Sequence, residues 1–337
     1  MKWTRRVLAA LAVLILAAVG FSMLTAPGGK RPVGFQVTHS AGPDGKPFMI
    51  GVWYPTSARP WPTTLVGLTL LDVAKDGPVA GASLPLIVIS HGNGAGVLAH
   101  VDLALALAGA GYVVAAPMHD GDNFMDQRGV GSPTFFNTRS EQFRATTDHM
   151  LKAWAGSPHI DASQVGAFGF SMGGFTVQTA VGAQPDLRLI ASHCAKAKEF
   201  ACDVLRHFQS PYAGPRPKAG QPFVPDPRIK AAVLAAPGMG FAMGEQALAN
   251  VHVPLQLWVG EKDDKVSDAG PVGRLVGGKV ESHKVQGAGH LSFLAPCSGL
   301  LRPPEVCAEA GGFDRAAFHA TMNAGVLAFF DSNLRHR

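Results

Sequence analysis

The chain is 337 residues long, 47% hydrophobic and 16% charged, which allows one large domain with a sizeable core and excludes a disordered polypeptide. Its formal net charge of +5 is local: Lys2, Arg5, Arg6, Lys30 and Arg31 supply it, and the other basic residues balance the acidic ones. A body that is neutral overall has no electrostatic footprint for a phosphate backbone, so nucleic acid is excluded as a partner.

At the N-terminus Lys2, Arg5 and Arg6 precede an uncharged, mostly apolar run from Val7 to Ala26. A run of about twenty such residues just spans a bilayer. Residues 1–31 therefore read as a signal peptide or an N-terminal membrane anchor. Ala18 and Gly20, or Gly20 and Ser22, offer small residues for cleavage, and Thr4-Arg5-Arg6 is a faint twin-arginine signal. In both cases the positive-inside rule places residues 32–337 across the membrane, periplasmic or secreted. Four cysteines fit an oxidising compartment, and their spacing favours Cys194 with Cys202 and Cys297 with Cys307. Each bridge closes a short loop and contributes roughly 2 to 3 kcal/mol by chain entropy.

Beyond Arg31 the pattern alternates. Phe35 to Ser40 and Met49 to Tyr54 read as an antiparallel pair around the turn residues Pro43-Asp44-Gly45. Leu86 to Ser90, Tyr112 to Ala116, Val165 to Phe170, Ala231 to Ala235 and Leu255 to Val259 are continuous apolar runs. Such runs suit strands buried on both faces of a parallel sheet. Helices are expected at Leu98 to Ala108, Glu141 to Ala155, Gly173 to Val181, Asp268 to Leu275 and Asp314 to Phe330. Strands alternating with helices predict an α/β fold with a mostly parallel, doubly wound sheet. Two Pro- and Gly-rich stretches break the rhythm and read as long loops: Pro55 to Pro85 and His193 to Arg228. The second is a lid-like insertion, with Phe208, Tyr212 and Phe223 as apolar contacts for a substrate.

Gly169-Phe170-Ser171-Met172-Gly173 carries a G-x-S-x-G motif between an apolar strand and a helix-forming run. A serine at that junction stands on a sharp, strained turn, exposed for nucleophilic attack. A serine hydroxyl needs a base, and the base needs an acid to orient it. In this strand–turn–helix setting the partners follow in the order Ser, Asp or Glu, His. Asp263, just past the strand ending at Val259, is the expected acid, with Asp264 its rival. His290, on the permissive loop Gly287-Ala288-Gly289, is the expected base; His283 falls in a strand, His319 in the last helix and His336 at the end. The oxyanion donors are the N–H groups of Met172 and of Asn93, the latter in the loop Ser90-His91-Gly92-Asn93-Gly94-Ala95-Gly96. Its glycines do not keep the spacing of a dinucleotide loop. His91 braces that loop and stands beside the substrate. His119-Asp120-Gly121-Asp122 reads as a polar loop at the sheet edge, lacking the spacing of a metal site.

Val52-Trp53-Tyr54-Pro55, Ser90-His91-Gly92-Asn93-Gly94, Gly169-Phe170-Ser171-Met172-Gly173-Gly174 and the later Gly289-His290 pair resemble the predicted dienelactone hydrolases. These are bacterial relatives of the platelet-activating-factor acetylhydrolases within the α/β-hydrolases. The resemblance runs from about Val33 onward and implies the α/β-hydrolase fold. It also implies a Ser-Asp-His esterase for small or medium carboxylic esters, working without a cofactor. Ser171 stands where dienelactone hydrolases carry cysteine, so dienelactone is not the implied substrate. A peptidase or thioesterase would use the same triad, and a non-catalytic ligand-binding protein would keep the fold without the reaction.

Overall fold

A computed structural model describes residues 2–65, 70–215, 220–244, 246–266, 269–274, 280–298 and 303–335. In chain order the elements are α1 (Lys2–Leu24), β1 (Val33–Ala41), β2 (Pro47–Pro55), β3 (Trp61–Thr64), β4 (Leu70–Lys75) and β5 (Leu84–Ser90). Then come α2 (Val101–Gly109), β6 (Val113–Pro117), α3 (Phe135–Lys152), β7 (Ile160–Phe170), α4 (Met172–Ala180), α5 (Leu189–Cys194) and α6 (Phe200–His207). The chain closes with β8 (Ile229–Ala235), β9 (Leu255–Gly260), β10 (Val280–Val285), α7 (Pro304–Cys307) and α8 (Arg315–Leu334).

Among the described residues the strands form one sheet in the order β10-β9-β8-β7-β5-β6-β2-β1-β4-β3. The six from β6 to β10 run parallel, and the β1–β2 hairpin adds on antiparallel to β6. Alternation explains the two-sided burial. Along β5, Leu84, Leu86 and Val88 face one apolar core with α3 and α4, while Ile87 and Ile89 face the other with α2 and α8. Both faces are dry around β5 and β6, which are apolar almost throughout, whereas the edge strand β10 carries Glu281, His283 and Lys284. The chain runs from β5 out to β6 and then back past β5 to β7. That reversal opens a crevice at the carboxyl ends of β5 and β7, where doubly wound sheets bind ligands.

Helix α1 stands apart from this body. It is largely exposed, and long and apolar enough to cross a membrane. Cys194 is bonded to Cys202 and Cys297 to Cys307, the pairing that the spacing favours.

Some expectations need correction. The stretch from Pro55 to Pro85 is not a plain loop: β3 and β4 pair antiparallel in it and extend the sheet edge; residues 66–69 lie outside the described residues. The insertion from His193 to Arg228 holds α6 and the end of α5, with 216–219 outside the described residues. Between Asp268 and Leu275, themselves outside the described residues, Gly270–Arg274 forms a 3-10 turn. His336 also lies outside them.

Candidate active site

Ser171 sits between the last residue of β7 and the first of α4, with φ 54° and ψ −117°. A non-glycine residue held there costs of order 1–3 kcal/mol and persists only where its surroundings enforce it. They do. Its N–H donates to Ala235 O at 3.0 Å, and its carbonyl accepts from Gly174 N at 2.9 Å and Gly238 N at 2.9 Å. The motif's glycines are required by close approach. A Cβ on Gly169 would lie 2.2 Å from Gly173 O, and one on Gly173 would lie 1.9 Å from Ser90 O. Only bare backbone lets α4 start this close to β5 and β7.

His290 opens a 3-10 turn, His290–Phe293, beyond the end of β10. Its Nε2 lies 2.9 Å from Ser171 Oγ and its Nδ1 2.7 Å from Asp263 Oδ2. The carboxylate accepts from Nδ1–H, which leaves Nε2 free to accept the serine proton. The Asp263 Oδ1 accepts from Lys265 N at 2.9 Å and Val266 N at 2.8 Å, so the turn after β9 fixes the acid. Asp264 points elsewhere: it pairs with Lys265 Nζ at 2.9 Å and is 65% exposed, whereas the His290 and Asp263 side chains are 5% and 6% exposed. The Phe170 ring, 4.8 Å from that of His290, backs the imidazole.

Asn93, Met172 and Ser171 line one cleft. Met172 is the first residue of α4, so its N–H has no acceptor within the helix. The Asn93 loop is held from behind by Asp122. Asp122 Oδ1 accepts from Asn93 Nδ2 at 2.6 Å and from Gly94 N at 2.8 Å. Its other oxygen pairs with Arg139 of α3, both side chains at most 2% exposed. Arg139 also donates to the His91 carbonyl and to Ser90 Oγ. His91 is buried: one ring nitrogen bonds Gly92 O at 2.7 Å and the other accepts from His119 N at 3.2 Å. Burial, helped by the Arg139 charge, pushes His91 down to about 3, so it is a neutral brace and makes no contact with the cleft. Among the described residues no cluster of His, Cys, Asp or Glu could hold a metal ion.

The rest of the cleft is mostly apolar, with Glu199 and Lys265 also on its lining, and the aromatics expected to line it do not. Phe200, Ala201, Val204 and Leu205 of α6 form one wall, facing Phe135, Met239 and Val266. Tyr212 is buried, its hydroxyl donating to Pro133 O at 2.5 Å. Phe223 packs at 5.8 Å against Phe175, and Phe208 lies beside Gly131. These three anchor the insertion to the body instead. Apolar residues at 200, 201, 204 and 205 carry the helical spacing that would have found the wall. Arg139 had no such signal, being a charged residue inside a polar helix.

A mostly parallel sheet with helices on both faces and a nucleophile-type turn after the central strand is the α/β-hydrolase fold. The chain is similar to a solved ferulic acid esterase from Streptomyces cinnamoneus, with a TM-score of 0.61 and 20% sequence identity over 93% of each chain. No family profile matches the sequence, and no curated protein does.

Proposed function

We propose that the protein is an exported serine hydrolase that cleaves small to medium carboxylic esters. The observation that carries the reading is the hydrogen-bonded series Asp263–His290–Ser171, ending on a strained turn that opens into an apolar cleft. Ser171 Oγ attacks the ester carbonyl while His290 Nε2 takes its proton, and Asp263 stabilises the imidazolium. The N–H groups of Met172 and Asn93 receive the oxyanion. His290 then protonates the leaving alcohol and activates water to release the acyl group from Ser171. The acyl chain lies against Phe200, Val204 and Leu205, whose cleft suits a chain of several carbons or an aryl ring. The solved ferulic acid esterase and the motif resemblance to dienelactone hydrolases and platelet-activating-factor acetylhydrolases favour an ester over an amide. The apolar α1, with three basic residues in its first two turns, and the two disulfides support action outside the cytoplasm.

The test is labelling of the full chain and of Ser171→Ala with a fluorophosphonate, beside hydrolysis of p-nitrophenyl acetate through octanoate, methyl ferulate, a thioester and an anilide. Labelling and ester turnover that both disappear in the variant are expected, with a loss of about 10⁴-fold or more. A folded wild type that neither labels nor turns over any ester would show that the reading is wrong. Faster anilide than ester turnover would make it a peptidase.

A further inference from the structure

Behind His290 lies a second histidine–carboxylate pair that the reaction above does not use. His319 of α8 is 2% exposed. Its Nδ1 lies 2.6 Å from Asp102 Oδ2 of α2, and its Nε2 lies 2.9 Å from the carbonyl of Ser292. A backbone carbonyl can only accept, so Nε2 carries a proton. Burial pushes the Asp102 carboxyl up, but hydrogen bonds from His319 and Asn323 outweigh it and leave the group below its ordinary value. On the other side Asp102 offers a carboxylate oxygen to Nδ1. His100, the other titratable group facing Asp102, is driven down to about 3 by burial and is neutral.

Ser292 stands two residues beyond His290 in the same 3-10 turn and is 1% exposed. Its hydroxyl accepts from Gly289 N at 3.0 Å and donates to Glu309 at 2.7 Å. The turn that carries His290 is therefore gripped at one residue, through its hydroxyl from one side and its carbonyl from the other.

We propose that His319 and Asp102 are positioning residues for His290: a buried histidine–carboxylate pair that clamps the Ser292 carbonyl and so fixes the turn presenting Nε2 to Ser171. The inference rests on the hydrolase reading. A base displaced by about 1 Å loses on the order of 10²-fold in rate without losing substrate affinity. A purely structural pair would affect folding stability and leave the chemistry of the folded molecules intact.

The experiment compares His319→Gln, Asp102→Asn and the double variant as full chains in detergent. It measures kcat and KM for p-nitrophenyl butyrate, the fluorophosphonate labelling rate, and Tm. Each single change should lower kcat and labelling by about 10- to 100-fold with KM nearly constant. The double variant sets two amides in series, one able to donate to the Ser292 carbonyl, and should recover to within about fivefold of wild type. Singles that keep kcat within about threefold, or a double no better than the worse single, would overturn the proposal. Nitrogen-15 NMR of labelled histidines tests the clamp without any turnover: Nε2 of His319 should carry a proton bonded to the Ser292 carbonyl, and an unprotonated Nε2 there would also overturn it. A wild type inert to ester and probe alike removes the hydrolase reading and the positioning role together, whereas active enzyme with unaffected variants removes the positioning role alone.

Discussion

Asp122→Asn should be among the most damaging single-atom exchanges in this protein. Asp122 uses its two oxygens separately. Oδ1 holds Asn93 and Gly94, and Oδ2 meets Arg139. An asparagine can keep the first set, so the loop contacts survive. Its amide nitrogen then faces the Arg139 guanidinium, donor against donor, and the buried cation has no counter-charge. Removing one partner of a buried ion pair costs about 3–5 kcal/mol, against a total stability of about 5–15 kcal/mol for a typical protein. At about 2 °C per kcal/mol for a chain of this size, Tm should fall by roughly 6–10 °C. Urea unfolding and thermal unfolding followed by circular dichroism measure both quantities. Adding Arg139→Gln, which places an amide oxygen opposite the new amide nitrogen, should restore more than half of the loss. A single variant that loses less than about 1 kcal/mol, or a double variant no more stable than the single, would refute the claim that an uncompensated charge is what matters.

Gly173→Ala should abolish soluble expression, because the new Cβ would lie 1.9 Å from the Ser90 carbonyl oxygen, a backbone atom that cannot swing away. Recovery of folded, labelled protein would contradict that packing. Val204→Trp should fill the α6 wall of the cleft and shift p-nitrophenyl ester preference from octanoate toward acetate by about tenfold. An unchanged chain-length profile would mean that the acyl group lies elsewhere. Burial drives His91 and His100 down to about 3 and His119 well below its ordinary value. All three are neutral when folded at pH 5, but in the unfolded chain they take up protons below about pH 6.5. Their contribution is complete above that pH and is lost as the pH falls toward 3, by up to about 1.4 kcal/mol per unit for each. Urea unfolding at pH 7, 6 and 5 reads this slope directly, and stability that stays level across those points would rule it out.

The sequence marks the sheet where burial is two-sided. Val165 to Phe170 and Ala231 to Ala235 are apolar at every position because each face meets a core. It does not mark β3 and β4, where Trp61-Pro62 and Asp72 interrupt a short edge strand pair. Helix α3 begins at Phe135, ahead of the expected Glu141, and its inner face explains why. Asn137, Arg139, Ser140, Gln142, Thr146 and Thr147 are buried there, so hydrophobic period fails as a guide. At the candidate site, the order Ser171, Asp263, His290 names the three side chains that the fold brings within hydrogen-bond distance, across separations of 119 and 27 residues. Local chemistry, a glycine-flanked turn and two strand-end loops, makes those residues legible. The supports are not: Arg139 to Asp122 and His319 to Asp102 join different elements, and nothing local distinguishes such residues from surface charges.

The two disulfides lie outside the sheet, Cys194–Cys202 buried and Cys297–Cys307 part-exposed. Cys194–Cys202 staples the insertion that supplies the cleft's outer wall, and Cys297–Cys307 closes the stretch just after the His290 turn. Neither crosslinks two strands of the sheet. Reducing both bonds would leave every strand pairing intact and remove the two covalent ties nearest the α6 wall and the His290 turn. Redox state therefore bears on how firmly the entrance is held and leaves the sheet behind it untouched.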